Sequence, residues 1–526
     1  MRNVFCSLKK YLQHPRSFST SRSLAFKPYS PEEEYTYTSG TWLYNREAQR
    51  NIRRFKFNVD ALITQCVKAV NATACTTFKK LAEGTSNRLF HARLDNGKDV
   101  VARLPFPIAG PTRLTTASEF IIMEKVPGVD LYPRWNDDIP SDEFGGLIRD
   151  LVKTERRWVN ASLSGIGSLY FARDLPPTIL SLGLPGDVPC HEQWGRFVIG
   201  PSVVRKFWKG GRSQLSVDRG PWNELRSEIS AAIRCGIEWL RHFARPYPRH
   251  SPLYRNERDN SPATHIDVLQ RCLHIIPYLP DPPEYSTFCV WHPDLNPSNI
   301  IVDETGPLIP RCYLDWQTAT VNALLDISVP SFLRYGGGKY VEAGLGSSSM
   351  PELPAEFKQL PETEQTIAKK EQRLAARSNY YHFVTEQWNP ALHAAQLSRW
   401  QEWFHILLEY PQHTFKQALI DMCKAWDDVA PGTTCPISFD SAEVRINEVD
   451  FLGWAREQAV QLLREKIGLG PDGWVKENEL KDAKRRNREA LEQTVAELDH
   501  EEDKAYIGRR WPFQDGVISS TAETCR

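Results

Sequence analysis

Val290-Trp291-His292-Pro293-Asp294-Leu295-Asn296-Pro297-Ser298-Asn299-Ile300-Ile301-Val302-Asp303 decides the reading of this chain. Apolar, β-branched and aromatic residues at its ends predict strands over Phe288 to Trp291 and Ile300 to Asp303, and the polar, proline-containing centre predicts a loop between them. That loop sets an acid and an amide five positions apart, in the order His-x-Asp-x-x-x-x-Asn. A third apolar run, Arg311 to Leu314, follows the Gly306-Pro307 turn and leads into Asp315-Trp316-Gln317. In such a hairpin Asn299 and Asp315 converge from adjacent strands while Asp294 projects from the loop.

Phosphoryl transfer needs this division of labour. A carboxylate orients and deprotonates an attacking hydroxyl, and hard oxygen ligands hold magnesium against nucleotide phosphates. Asp294 is the candidate for the first task and Asn299 and Asp315 for the second. His292 completes the catalytic loop and is expected to orient it by hydrogen bonding instead of acting as the base. The competing reading has these acids capping the turns of an ordinary hairpin, and the flanking apolar strands weigh against it.

Upstream, Val59 to Val70 predicts a short helix with Leu62, Ile63, Cys66 and Val70 inward. Strand patterns follow at Thr77 to Ala82, Arg88 to Leu94 and Val100 to Leu104, with Asp95-Asn96-Gly97 as a tight turn, and Phe120 to Val126 is a further strand closed by Pro127-Gly128. From Ser141, a candidate N-cap, the period turns helical through Phe144, Leu147, Ile148, Leu151, Val152 and Trp158; Trp222 to Ala244 and Ile266 to Ile276 repeat it. Gly84, with small Thr85 and Ser86 beside it, can bring backbone amides close to phosphates.

His292 to Asn299 and Leu314 to Trp316 resemble the catalytic loop and metal-binding segment of the aminoglycoside phosphotransferase family. Glu83 to Phe90, Val100 to Phe106 and Ile121 to Gly128 resemble its phosphate loop, third strand and interlobe hinge. Within that family, Leu-Pro-Phe-Pro-x-Ala-Gly-Pro at Leu104 to Pro111 is similar to the fungal mitochondrial group called altered inheritance of mitochondria protein nine. The resemblance implies an α+β, two-lobed, protein-kinase-like fold with a small strand-rich N-lobe, a large helical C-lobe, and ATP and Mg2+ as cofactors. It places the nucleotide at Gly84, Thr85, Ser86, Arg103, Glu124 and Val126. Arg103 stands where kinase-like enzymes carry a phosphate-contacting lysine, which keeps the charge and changes reach and bonding geometry. An exposed strand arginine is the plainer account of it.

One departure is marked. The pattern calls for a helix with a glutamate and another strand between Arg103 and the hinge strand, yet sixteen residues separate Arg103 from Phe120, and a helix of about 11 residues with a strand and loops needs roughly twice that. Thr115 to Glu119 reads as the start of that helix, so a truncation is expected at Glu119-Phe120, with Glu119 the candidate partner of the strand base.

Lys plus Arg equals Asp plus Glu at 65 each, so no global basic field draws in nucleic acid. The 11 cysteines form no metal-spaced cluster, which predicts reduced thiols. No apolar run approaches the ~20 residues that span a bilayer. Arg2, Lys9, Lys10, Arg16 and Arg22 precede the first acid, Glu32, among Ser17, Ser19, Ser21 and Ser23, and Val4, Leu8, Tyr11 and Leu12 share one helical face. This composition predicts a mitochondrial transit peptide over 1–27, cut after Phe18, and delivery to the matrix; a disordered basic tail is the alternative.

The expected organisation is then a linker over 28–58, the nucleotide-binding N-lobe over 59–127, a helical C-lobe over 128–357 that carries the hairpin 288–317, and a helical extension over 358–526. The function expected is ATP- and magnesium-dependent transfer of phosphate to a hydroxyl or amine of a small molecule whose identity, like the oligomeric state, is not legible. A catalytically impaired kinase-fold scaffold is the rival, favoured by Arg103 and the missing helix.

Overall fold

The computed structural model describes residues 34–84, 87–106, 120–135, 139–184, 194–246, 257–258, 260–279, 287–316, 319–344, 351–398, 412–470, 473–496, 501–509 and 511–515. The proposed transit segment with its cleavage point, Thr85, Ser86, Gln317 and the stretch 115–119 lie outside these described residues. Two compact units divide the chain, with boundaries at Lys125 to Val126 and at Leu452 to Gly453; the residues up to Lys125 and those from Gly453 onward belong to one unit.

The first unit is built on an antiparallel sheet. Helix α1 (Val59–Ala69) begins where the Asn58 side chain accepts the Ala61 N–H at 2.9 Å, and it buries Leu62 and Cys66. These pack on Phe78, Phe90, Ala92, Val100, Ala102 and Leu104 of β1 (Cys75–Glu83), β2 (Asn87–Leu94) and β3 (Asp99–Pro105). The β2–β3 turn uses Gly97 at φ 77°, a left-handed conformation that favours glycine. Strand β4 (Ile121–Glu124) pairs directly with β3, Arg103 facing Ile121 and Val100 facing Glu124. No helix intervenes among the described residues; the segment between these strands, where one was expected to begin, is not among them.

A buried ion pair closes this sheet at the end of the β1–β2 hairpin. Glu83 and Arg88, both side chains shielded from solvent, bond through Oε1 and Nε. The Arg88 Nη1 donates to the Glu34 carbonyl at 2.6 Å, Glu83 Oε2 accepts the Thr38 N–H at 2.7 Å, and the guanidinium lies over the Phe55 and Phe106 rings. Two charges out of water persist only with such extra bonds. Later in the chain, Trp474–Val475 pairs with Thr41–Trp42, and Tyr44, Ile467, Ala483, Trp511 and Phe513 form a separate apolar cluster of the same unit.

The second unit is mostly helical around small sheets. It contains β5 (Val129–Asp130), α2 (Ser141–Val159), α3 (Leu225–His242), α4 (Pro262–Ile275), β6 (Phe288–Trp291), β7 (Ile300–Val302), β8 (Cys312–Tyr313), β9 (Thr320–Ala323), α5 (Glu362–Trp388) and α6 (Pro390–Leu397). Ser141 was expected to cap α2; Pro140 holds that position and no side chain caps the end, because Ser141 already lies in the first turn. Among the described residues, two large apolar clusters fill most of the unit. Ile148, Leu151 and Val152 of α2 meet Ile300, Val302 and Tyr381, while Ile229, Ile233, Leu269, Cys289 and Leu324 form the larger core.

The mixture of helices with small antiparallel sheets bears out the α+β class. No helix among the described residues is long and apolar enough to cross a membrane, and the cysteines described are free thiols.

Candidate functional site

The two strands flanking the His-x-Asp-x-x-x-x-Asn loop belong to different sheets. Strand β6 pairs antiparallel with β9, and β7 pairs with β8 on one side and β5 on the other. The loop 292–299 therefore bridges two sheets where a single hairpin was expected. Apolar runs reveal that strands form and not which edges they join. The β7–β8 hairpin does place the second acid as anticipated. Ile300 faces Tyr313, and the Leu314 N–H donates to the Asn299 carbonyl at 2.7 Å, so Asn299 and Asp315 flank one pair of strand ends.

His292 is the strut of this site. It is 1% exposed, its Nε2 lies 2.6 Å from the Leu314 carbonyl, and its Nδ1 lies 3.2 Å from the Asp294 backbone N. A carbonyl can only accept and an amide N–H can only donate, so the ring is the neutral tautomer with its proton on Nε2. Burial pushes its pKa below the ordinary value, in the same direction. Both nitrogens are committed, Nδ1 to the loop at Asp294 and Nε2 to Leu314 beyond β8, and none remains to take a proton from a substrate. The ring also meets Trp316 edge to face at 4.8 Å, and Trp316 and Trp291 both pack against Trp158 of α2.

Asp294 is exposed at the loop surface. Asn296 Nδ2 donates to its Oδ1 at 2.9 Å and Asn299 Nδ2 donates to its backbone carbonyl at 2.8 Å. Asn296 also accepts the Ser298 N–H at 2.9 Å, locking the turn that carries Asn299. Since the Asn299 amide nitrogen is spent on Asp294, its Oδ1 is the side-chain atom that could ligate a cation. Asp315 is held at φ 61°, a left-handed backbone that costs an L residue energy and occurs mainly where the surroundings impose it. An amide oxygen and a carboxylate are the hard donors a magnesium ion takes from protein, the rest of its octahedron coming from phosphates and water. The donor set fits that ion. No cluster of three or more His, Cys, Asp or Glu suited to a metal occurs among the described residues.

A cavity of about 600 Å³ opens beside Asp294, with Trp291, Leu295, Val329, Lys206, Glu228 and Arg334 among its walls. That size suits a small organic molecule. Sequence reading missed this lining, and also Asn296 and the anchoring role of Trp158. Only Asn296 carried a signal, as an Asn-Pro turn former next to the motif; the cavity walls come from separate elements without a shared motif.

In the first unit, Gly84 donates its N–H to the Asn87 carbonyl at 2.9 Å, so this amide closes the hairpin. An added Cβ there would meet nothing within 4 Å, leaving open space beside the backbone. Arg103 lies on the sheet face opposite the α1 core, opposite Leu89 and Ile121. Glu124 is exposed on β4, and Val126 begins the second unit half-buried. His292, Asp294, Asn299 and Asp315 are thus brought together within one unit.

No family model matches the chain. A subtelomeric hrmA-associated cluster protein of Aspergillus fumigatus is 26% identical over 515 residues, covering 84% of this chain and 97% of that protein. Altered inheritance of mitochondria protein 9, mitochondrial, of Yarrowia lipolytica is 23% identical over 362 residues, and its counterpart in Lodderomyces elongisporus 21% over 345. These alignments cover 58% and 54% of the chain and 61% and 52% of the two relatives. The resemblance to that mitochondrial group is borne out. Among solved structures, macrolide 2'-phosphotransferase MphH from Brachybacterium faecium shares 13% identity, with 67% of this chain and 99% of that one covered and a TM-score of 0.23. A thermostable mutant of aminoglycoside phosphotransferase APH(4)-Ia, in a ternary complex with AMP-PNP and hygromycin B, also shares 13%, covering 68% and 98% at a TM-score of 0.27.

Proposed function

We propose that this protein is a mitochondrial phosphotransferase of the aminoglycoside phosphotransferase type, which moves the γ-phosphoryl group of ATP to a hydroxyl or amine of a small molecule. The observation that carries the reading is the loop 292–299. It holds an exposed carboxylate, Asp294, at the mouth of a ligand-sized cavity and sets Asn299 and Asp315 on neighbouring strand ends. Mitochondrial residence is supported by the names of the two relatives and by the basic, acid-free start of the sequence, and delivery to the matrix is proposed from that start alone.

Asp294 receives the proton of the acceptor hydroxyl as its oxygen bonds to phosphorus; the bond to the β–γ bridging oxygen breaks and ADP leaves with that electron pair. Asn299 and Asp315 would hold Mg2+, which when bound offsets the charge of the phosphates. His292 is a positioning residue that ties the loop at Asp294 to Leu314, the residue before Asp315. Gly84, Thr85, Ser86, Arg103, Glu124 and Val126 form the proposed nucleotide contacts.

A second reading, a nucleotide- or partner-binding scaffold with impaired catalysis, is favoured by the Gly84 amide, already spent within the hairpin, and by Arg103 in place of lysine. Transfer of labelled phosphate from ATP across a panel of hydroxyl and amine metabolites separates the two. The enzyme reading expects magnesium-dependent product, lost by at least 100-fold in Asp294→Asn, of the order seen for removal of a general base. Nucleotide binding without turnover on any acceptor selects the scaffold.

A further inference from the structure

The cavity beside Asp294 carries a charge that phosphoryl transfer does not use. Of its charged lining, Lys206 and Glu228 neutralise each other at 2.9 Å, Arg205 and Asp326 contribute one charge of each sign, and Asp294 is reserved for the reacting hydroxyl. Arg334 remains. Its Nη2 donates to the Val329 carbonyl at 3.2 Å, and among the described residues no carboxylate lies within ion-pair distance of it. Arg334 is exposed, follows the short 3-10 turn Ser331–Leu333 and lines the cavity. A guanidinium fork matches the two oxygens of a carboxylate or phosphate and gains little from a neutral or cationic ligand. Trp291, Leu295 and Val329 supply apolar wall in the same cavity as this cation and Asp294.

We propose that Arg334 anchors an oxyanion of the acceptor, so that the acceptor is a hydroxylated small molecule bearing a carboxylate or phosphate at the end of an apolar stem. The naming of the hydroxyl as the reacting group rests on the phosphoryl-transfer reading; the anion site does not.

The test is calorimetric titration of the full chain, without nucleotide, with four probes that carry a hydroxyl at one end of an apolar stem and differ only in the group at the other: 10-hydroxydecanoate, 10-hydroxydecyl phosphate, methyl 10-hydroxydecanoate and 10-aminodecan-1-ol. At least one anion should bind about tenfold or more tightly than the ester, as expected for a hydrogen-bonded charge pair, and whichever anion is tighter identifies the source. Arg334→Ala should abolish the preference, Arg334→Lys should keep part of it, and Arg334→Glu should transfer it to the amine. The lysine and glutamate variants guard against loss of folding in the alanine variant. The proposal is overturned if no anion binds more tightly than the ester, complete absence of binding included, or if Arg334→Ala retains the preference. Transfer to a neutral acceptor that needs Asp294 would then leave the enzymatic reading standing. Anion preference without transfer to any acceptor would leave the anion site and remove the enzyme.

Discussion

Replacing His292 probes the strut of the site. In His292→Ala the Leu314 carbonyl loses its donor and the Asp294 N–H its acceptor. The two losses are unequal. Asp294 is exposed and its bond is long at 3.2 Å, so water replaces it cheaply, whereas the 2.6 Å bond from the ring is the stronger one. Stranding that carbonyl costs about 1–3 kcal/mol, and the lost contact with Trp316 adds about 1 kcal/mol, giving roughly 2–4 kcal/mol in all. His292→Gln offers a donor near the old Nε2 position and should recover about half of this. Urea unfolding followed by tryptophan emission includes this region, because Trp316 meets the ring and Trp158 packs on both Trp316 and Trp291.

The pH dependence has a definite sign. Burial lowers the folded pKa, so the stability this group contributes is present above its unfolded value of about 6.5 and is lost as pH falls below it. The glutamine variant should lack that acid-side loss. Turnover should fall about 10–100-fold in His292→Ala through misplacement of Asp294, without loss of the acid limb of the rate profile. Wild-type stability in the alanine variant, or disappearance of that limb in the glutamine variant, would refute the strut and make His292 the base.

Burial raises Glu155 on α2 to about 8, with the Tyr381 hydroxyl its one donor among the described residues. Its stabilising contribution is therefore greatest at acid pH and is lost as pH rises through 8. His382, pulled down to about 4 by burial, acts in the opposite sense below 6.5. Between pH 6.5 and 8 the wild type should lose about 2 kcal/mol relative to Glu155→Gln in urea titrations; parallel curves would contradict the assignment. Arg88→Leu leaves the buried Glu83 carboxylate with Lys80 at 3.4 Å as its remaining cation and should cost about 3 kcal/mol, while replacing both Arg88 and Glu83 by Met should cost less. Hydrogen exchange in β1 and β2 reads this, and equal costs would refute it. Asp315→Gly should be about 1 kcal/mol more stable than Asp315→Ala, because glycine accepts φ 61° without penalty; thermal melts that rank alanine higher would show that no strain resides there.

Where side-chain period and local chemistry coincide, the sequence was sufficient. The Leu62 and Cys66 face of α1, the strands around Gly97 and the helices at Ser141–Val159 and Leu225–His242 formed where the patterns placed them. The placement of Asn299 and Asp315 at neighbouring strand ends was legible because a Gly-Pro turn fixes the β7–β8 hairpin locally. Strand β6 was misassigned to that hairpin because its partner β9 lies some thirty residues on, and no local signal specifies which edge it joins. The neutral state of His292 needed the Leu314 carbonyl, and the cavity needed Lys206, Glu228 and Arg334 to meet from distant positions.

Binding of Mn2+ in the presence of ATP, followed by electron paramagnetic resonance on the full chain, tests the site most directly. Asn299 and Asp315 as ligands require that Asp315→Asn and Asn299→Ala each weaken the bound signal by about tenfold or more, the worth of one lost ion contact, while Asp294→Asn leaves it intact. Equal binding in all four proteins, or loss confined to Asp294→Asn, would contradict the division of roles on which the functional account stands.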